Sequence, residues 1–311
     1  MFEASSWMFD FIKILLESLM NQRFEDYIKD YNSNFSEISK YANSKGIVAK
    51  YYSSTKGSYK KFFDEKDNFD IEKFAIRYYR AKKEMYNSSQ MLIEAKRNKK
   101  VGCIIGHFFL CYYALFHAMQ SLLFLNPNLD SDKVLDLSHN EVKKYFEDFY
   151  CKGNNSIMPP EIIDLFVILK EYRELYSYTM PFNNPQNVMI EMELLEYYIT
   201  LCFQLLSLKS FIIHKIKPGT IAFDINVKEY FENCCYKRDP ISQKLIRDEA
   251  DKYFWWQFKE YGAEFFPYAL GIEADMDEYG GYDSHILEKL GFKECGTIKI
   301  NAFRFVYSVI H

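Results

Sequence analysis

Glycine and proline are scarce in this chain, 12 and 8 of 311 residues, which argues against a β-sandwich or barrel, whose many turns depend on both. A charge imbalance is missing too, since 39 basic residues meet 43 acidic ones for a net charge of -4. No global field therefore recruits nucleic acid, and any such contact has to come from a local patch. The seven cysteines form no C-x-x-C pair, and their odd number argues against a disulfide framework and for a reducing cytoplasm. No H-E-x-x-H, zinc spacing, P-loop or G-x-S-x-G sequence occurs, so neither a metal nor a nucleotide cofactor is expected. The N-terminal segment lacks the basic start of a signal peptide and reads as a retained amphipathic helix.

Aromatic side chains are abundant, with 26 Tyr and 28 Phe, which suits packed helices. Many of them fall in an uncharged run from Ile104 to Leu125, long enough to cross a membrane. His107, His117, Gln120 and Ser121, with Tyr112 and Tyr113 in the middle rather than at the ends, instead fit a helix surrounded by other helices. A second span at 194–213 is opposed by Glu196 and Lys209. The expectation is a cytoplasmic chain with no membrane contact.

The predicted fold is mainly α: a helical bundle with N-terminal helices and a small α+β C-terminal region. Residues 4–43 give one or two amphipathic helices, with Phe11, Ile14, Leu15 and Leu19 on one stripe, and a polar link follows from Ser44 to about Asn68, closing a first segment at 1–68. From Asp70, read as the N-cap, Ile71, Phe74, Tyr78, Ala81, Met85, Ser88, Leu92 and Ala95 recur in steps of three and four, which predicts one long helix. The uncharged helix comes next. Ser138-His139-Asn140-Glu141 has the form of a capping box and starts a helix running to about Tyr150. Pro159-Pro160-Glu161 opens another, which ends near Pro181, and a last one runs from about Val188 to His214. These helices form a unit at 70–215. In the 218–311 region, 221–227 and 297–310 are rich in β-branched and aromatic residues and read as strands around a Tyr/Trp-rich helix at 241–262. Asp275 to Gly280 starts like a calcium loop, but Ile286 stands where a bidentate Glu is needed, so it reads as an acidic turn.

The middle of the chain resembles the HEPN superfamily. The resemblance rests on Tyr112-Tyr113-Ala114-Leu115-Phe116-His117-Ala118, on the Ser138-His139 turn leading into Val142 and Phe146, and on Glu171-Tyr172-Arg173-Glu174-Leu175-Tyr176, in that order over about 70–215. It implies an all-α, usually dimeric module of toxin-antitoxin and phage-defence systems, many of whose members are metal-independent endoribonucleases. Those enzymes carry an Arg followed after four to six residues by a His. Arg173 matches the arginine, while Tyr178, Thr179 and Met180 stand where the histidine belongs.

On this resemblance Arg173 binds a phosphate through its guanidinium fork, or else pairs with Glu174 or Asp164 as a structural arginine. Tyr176 and Ser177 share its side of the helix by spacing. His139, at an exposed helix start, is the replacement base or a local structural residue. His117 reads as a core histidine. Tyr176 and Tyr178 are candidate modification sites, because in some relatives a nearby tyrosine accepts a nucleotide from a partner nucleotidyltransferase. Lys96, Arg97, Lys99 and Lys100 form a basic strip suited to RNA phosphates or to a solvated helix end. Two functions follow: an RNA-acting, dimeric toxin or defence protein with an antitoxin or nucleotidyltransferase partner, or a catalytically silent interaction module.

Overall fold

Asp67 accepts a hydrogen bond from the backbone N–H of Asp70 at 2.9 Å, and this cap starts the longest helix among the described residues three residues ahead of the position the spacing predicts. The computed structural model describes residues 34–153, 156–179, 190–239, 241–242, 244–246, 249–265, 301–302, 304–306 and 308–310. The helix expected in the first thirty-three residues, the turn expected after Asp275 and the start of the strand expected at 297 fall outside them.

Helices dominate: α1 Ser36–Lys45, α2 Val48–Glu65, α3 Asn68–Lys100, α4 Ile104–Phe124, α5 Ser131–Leu135, α6 His139–Phe146, α7 Glu161–Glu174 and α8 Met192–Ile216. Single π-turns, Glu147–Cys151 and Leu175–Thr179, extend α6 and α7. The capping box forms as expected, with the Ser138 hydroxyl and the Glu141 carboxylate each serving the other's backbone N–H.

Helices α3 and α4 form an antiparallel hairpin that turns at Gly102, whose φ of 75° favours glycine. Their facing surfaces carry small residues, Ala81, Ser88 and Ala95 against Cys111, Ala114, Ala118 and Ser121, all fully buried, so the two backbones approach closely. Ser88 Oγ donates to the Ala114 carbonyl at 2.6 Å across this seam. Helices α6, α7 and α8 pack around α4. Helix α8 is long and apolar enough to cross a membrane, yet 78% of its most apolar window is buried inside the molecule. Its neighbours α1, α2, α3 and α4 supply that cover.

Buried polar groups close the helix ends. Arg77, wholly buried, donates to the carbonyls of Phe124, Leu129 and Asn126 at 2.9, 2.9 and 2.7 Å, covering the open C-terminal end of α4. Helix α1 has no side-chain cap of its own. Gln204 of α8 accepts from the N–H groups of Glu37 and Ile38 instead, at 3.1 and 3.0 Å.

Two sequence expectations are corrected here. The supposed polar link is helix α2, because Val48, Tyr51, Tyr59 and Phe62 recur at helical spacing and bury one stripe against the bundle while the Ser and Lys residues face water. The expected strands are mostly absent among the described residues. Only Thr220–Ile221 pairs, with Ala263–Glu264, and Ile225–Val227 is a 3-10 turn. Residues 301–302, 304–306 and 308–310 are helical, since Ala302, Val306, Val309 and Ile310 bury at intervals of three and four. Composition favoured strand there, and period decides for helix.

The rest of the tail comprises α9 Lys228–Cys235, α10 Glu249–Tyr261 and a two-residue hairpin of Lys237–Arg238 with Leu245–Ile246. It packs on α3, where Lys83 and the Tyr79 hydroxyl reach the Asp251 carboxylate at 2.6 and 2.8 Å.

Candidate functional site

The stripe Ile105, Phe109, Tyr113, His117 recurs every four residues along one face of α4. Ile105 and Phe109 are exposed, and Tyr113 and His117 half-buried, so this face is not absorbed into the core. Helices α6 and α7 flank it and deliver the other polar groups.

His117 meets Glu84 of α3. Nδ1 lies 2.5 Å from the carboxylate, which is fully buried. Burial alone would raise the Glu84 pKa, but Arg80, 2.5 Å away, and the imidazole hold it well below the usual carboxylate range. An ionised carboxylate accepts the Nδ1 hydrogen, which fixes the tautomer of His117 with the lone pair on Nε2. No hydrogen bond engages Nε2 among the described residues. The sequence reading of His117 as a core histidine is therefore half met: Nδ1 is satisfied inside, on a residue that stays half-buried.

His139 stacks on Phe116 with ring centroids 4.5 Å apart, and its Nδ1 lies 2.5 Å from the Tyr112 hydroxyl. Burial first, then the Arg173 charge, lowers its pKa and favours neutral imidazole. Burial pushes the Tyr112 phenol up, so the phenol keeps its hydrogen and donates it. Nδ1 of His139 then accepts, and Nε2 carries the hydrogen. In this arrangement His139 is a donor rather than a base.

Arg173, at the end of α7, lies over the Tyr112 and Tyr113 rings, its guanidinium carbon 4.8 and 5.8 Å from their centroids. One Nη donates to the Tyr113 hydroxyl at 3.2 Å and the other to Glu174 at 3.1 Å. The carboxylate partner is thus Glu174 rather than Asp164. The Tyr113 ring is the hub, 6.1 Å from His117 and 5.8 Å from His139 between centroids. Arg173, Tyr113, His117 and His139 therefore converge, although they come from three helices and no sequence motif groups them.

Tyr176 does not join them. The π-turn at Leu175–Thr179 breaks the 3.6-residue period on which the expected Arg173–Tyr176 neighbourhood rested, and Tyr176 is buried, its ring 4.9 Å from that of Phe108. Tyr178 is 79% exposed. Of the basic strip, Lys96 pairs with Glu196 and lies 5.9 Å from the Phe305 ring, whereas Arg97, Lys99 and Lys100 are exposed at the end of α3. From Ser88, which faces Ala114 beside the Tyr113 hub, Lys99 lies about 16 Å further along the helix. The strip and the hub are neighbouring regions, not one cluster.

No protein-family model, curated protein or solved structure matches this chain.

Proposed function

We propose that this chain is a cytoplasmic HEPN-like protein of a bacterial toxin or anti-phage defence system, acting on RNA as a metal-independent endoribonuclease. One observation carries the reading: a histidine oriented by a carboxylate, a second imidazole, a phenol and an arginine gather on one open face of α4. That set fits phosphodiester chemistry. Nε2 of His117 takes the proton of a ribose 2′-hydroxyl, the 2′-oxygen attacks phosphorus, and the P–O5′ bond breaks, the 5′-oxygen taking up a proton from water. Arg173 and the Nε2–H of His139 lie where the phosphate oxygens gather charge. Arg97, Lys99 and Lys100 hold the strand beyond the site.

The exposed Ile105 and Phe109, the latter 4.7 Å from the Tyr113 ring between centroids, supply an apolar margin beside the cluster that suits a homodimer, the assembly the HEPN resemblance implies. Tyr178 suits modification by a partner nucleotidyltransferase, and burial leaves Tyr176 poorly suited.

A second reading also has an observation in its favour. Arg173 is engaged by Tyr113 and Glu174, as a structural arginine in a silent interaction module would be. Induction in a bacterial host separates the two. Growth arrest with RNA fragments ending in 2′,3′-cyclic phosphate supports the nuclease, and a stable dimer with neither effect supports the module.

A further inference from the structure

On the side of the bundle formed by α2, the turn after α4 and the π-turn of α6 lies a cavity of about 300 Å³, lined by Ser54, Thr55 and Ser58, by Asn126 and Asn128, and by Tyr150 and Lys209. Lys209 belongs to α8 and is only 3% exposed. A lysine so placed is normally paired with a carboxylate. Lys209 has no such partner among the described residues. Its Nζ donates to the Tyr150 hydroxyl at 2.8 Å, and the Tyr150 hydroxyl in turn donates to the Leu122 carbonyl at 2.8 Å. The Tyr150 and Tyr59 ring centroids lie 4.7 and 5.9 Å from Nζ. Above it, Asn126 uses its side-chain oxygen to accept from the Asn128 N–H at 3.0 Å, which turns its amide NH2 away from that turn.

We propose that Lys209 is a nucleophilic amine that binds a small carbonyl compound in this cavity as an imine. The site lies apart from the Arg173–His117 cluster and is independent of the function proposed for it. Burial, aided by the neighbouring charge of Arg77, lowers the Lys209 pKa to about 7, so much of the amine is neutral at physiological pH. The nitrogen lone pair forms the C–N bond while the C=O π pair moves to oxygen, giving a carbinolamine. Both hydrogens of the amine then leave with that oxygen as one molecule of water, and the C=N bond remains. Tyr150 Oη, in contact with Nζ, positions the amine. The hydroxyls of Ser54, Thr55 and Ser58 and the Asn126 amide give the cavity a polar wall, and Lys152, 3.6 Å from Asp148, offsets the one carboxylate that also lines it, which suits a small polar carbonyl compound rather than an alkyl chain.

Incubation of the full-length protein with glyoxylate and cyanoborohydride at pH 7, followed by peptide mapping, tests this. The expected result is reduced adduct at Lys209 at least tenfold ahead of any other lysine, with the preference abolished in denaturant. Tyr150→Phe should slow labelling while the helical circular dichroism persists, and Lys209→Arg should remove the fast-reacting site. Labelling spread evenly over surface lysines in the native wild-type protein would overturn the proposal, whatever the variants do.

Discussion

Glu84 and His117 face each other across the α3–α4 seam, with the carboxylate 2.5 Å from Nδ1 and Arg80 2.5 Å from the other carboxylate oxygen. The pair ties a core ion pair to an open helix face. Glu84→Gln would leave Arg80 without its charge partner, at a cost on the order of 3 kcal/mol. His117→Gln retains an N–H able to reach Glu84 and should change stability by less than about 1 kcal/mol. Urea unfolding of the two variants checks the contrast, and equal losses would mean that the imidazole has a structural role only.

Core position and surface position should separate as sharply on α4 and α3. Phe116 is buried beneath His139, so Phe116→Ala should cost roughly 3 to 5 kcal/mol, while Lys99→Ala, at an exposed helix end, should stay within about 0.5 kcal/mol. Melting temperatures of both variants measure this directly, and two small, equal shifts would remove α4 from the core.

Stability should rise with pH between 5 and 8. His139 and Lys209 each have a folded pKa below the ordinary value, 6.5 for the imidazole and 10.5 for the amine, so the unfolded chain binds more protons over the intervening range. The His139 contribution is lost as pH falls below about 6.5, and that of Lys209 as pH falls from 10.5 toward about 7. The depressed Glu84 adds a further loss below its ordinary 4.5. Lys209→Met should flatten the limb above pH 7. A wild-type melting temperature that falls from pH 6 to pH 8 would contradict this assignment.

The basic strip offers a salt-dependence test. Replacing Arg97, Lys99 and Lys100 by Ser should weaken RNA binding and reduce the slope of log K against log salt by about 2, since each single-strand phosphate contact contributes about 0.7. Lys96→Ser should leave that slope unchanged, because Glu196 already engages this lysine. A slope insensitive to all four places RNA elsewhere.

Strong local signals were legible in the sequence. The capping box at Ser138–Glu141, the three-and-four spacing from Ile71 to Ala95 and the prolines before Glu161 each encode a helix through chemistry confined to a few residues, and each of these helices forms, α3 with its cap at Asp67 instead of the expected Asp70. Helix α2 was obscured because its buried stripe of tyrosines is interleaved with Ser, Lys and Gly57, whose composition alone reads as a linker. Gly57 is tolerated there because it sits on the exposed side. The site was legible in part. Arg173 and His139 could be named from local motifs, but the Glu84–His117 pair joins residues 33 apart on two helices, and only the small-residue seam that brings α3 against α4 makes it. The one sequence signal for it was His117 on the uncharged helix, whereas Glu84, directly after Lys82 and Lys83, reads as an ordinary surface carboxylate.

The most direct test of the account is the rate at which purified protein cleaves RNA at pH 7, compared among wild type, His117→Gln, His139→Gln and Arg173→Ala, each verified as folded by circular dichroism. The account predicts wild-type cleavage that spares a 2′-deoxy substrate, a loss of about 10² to 10⁴-fold in His117→Gln, about 10² to 10³-fold in Arg173→Ala, and a smaller loss in His139→Gln. Cleavage by His117→Gln and Arg173→Ala at the wild-type rate, or no cleavage by the folded wild-type protein, would contradict it.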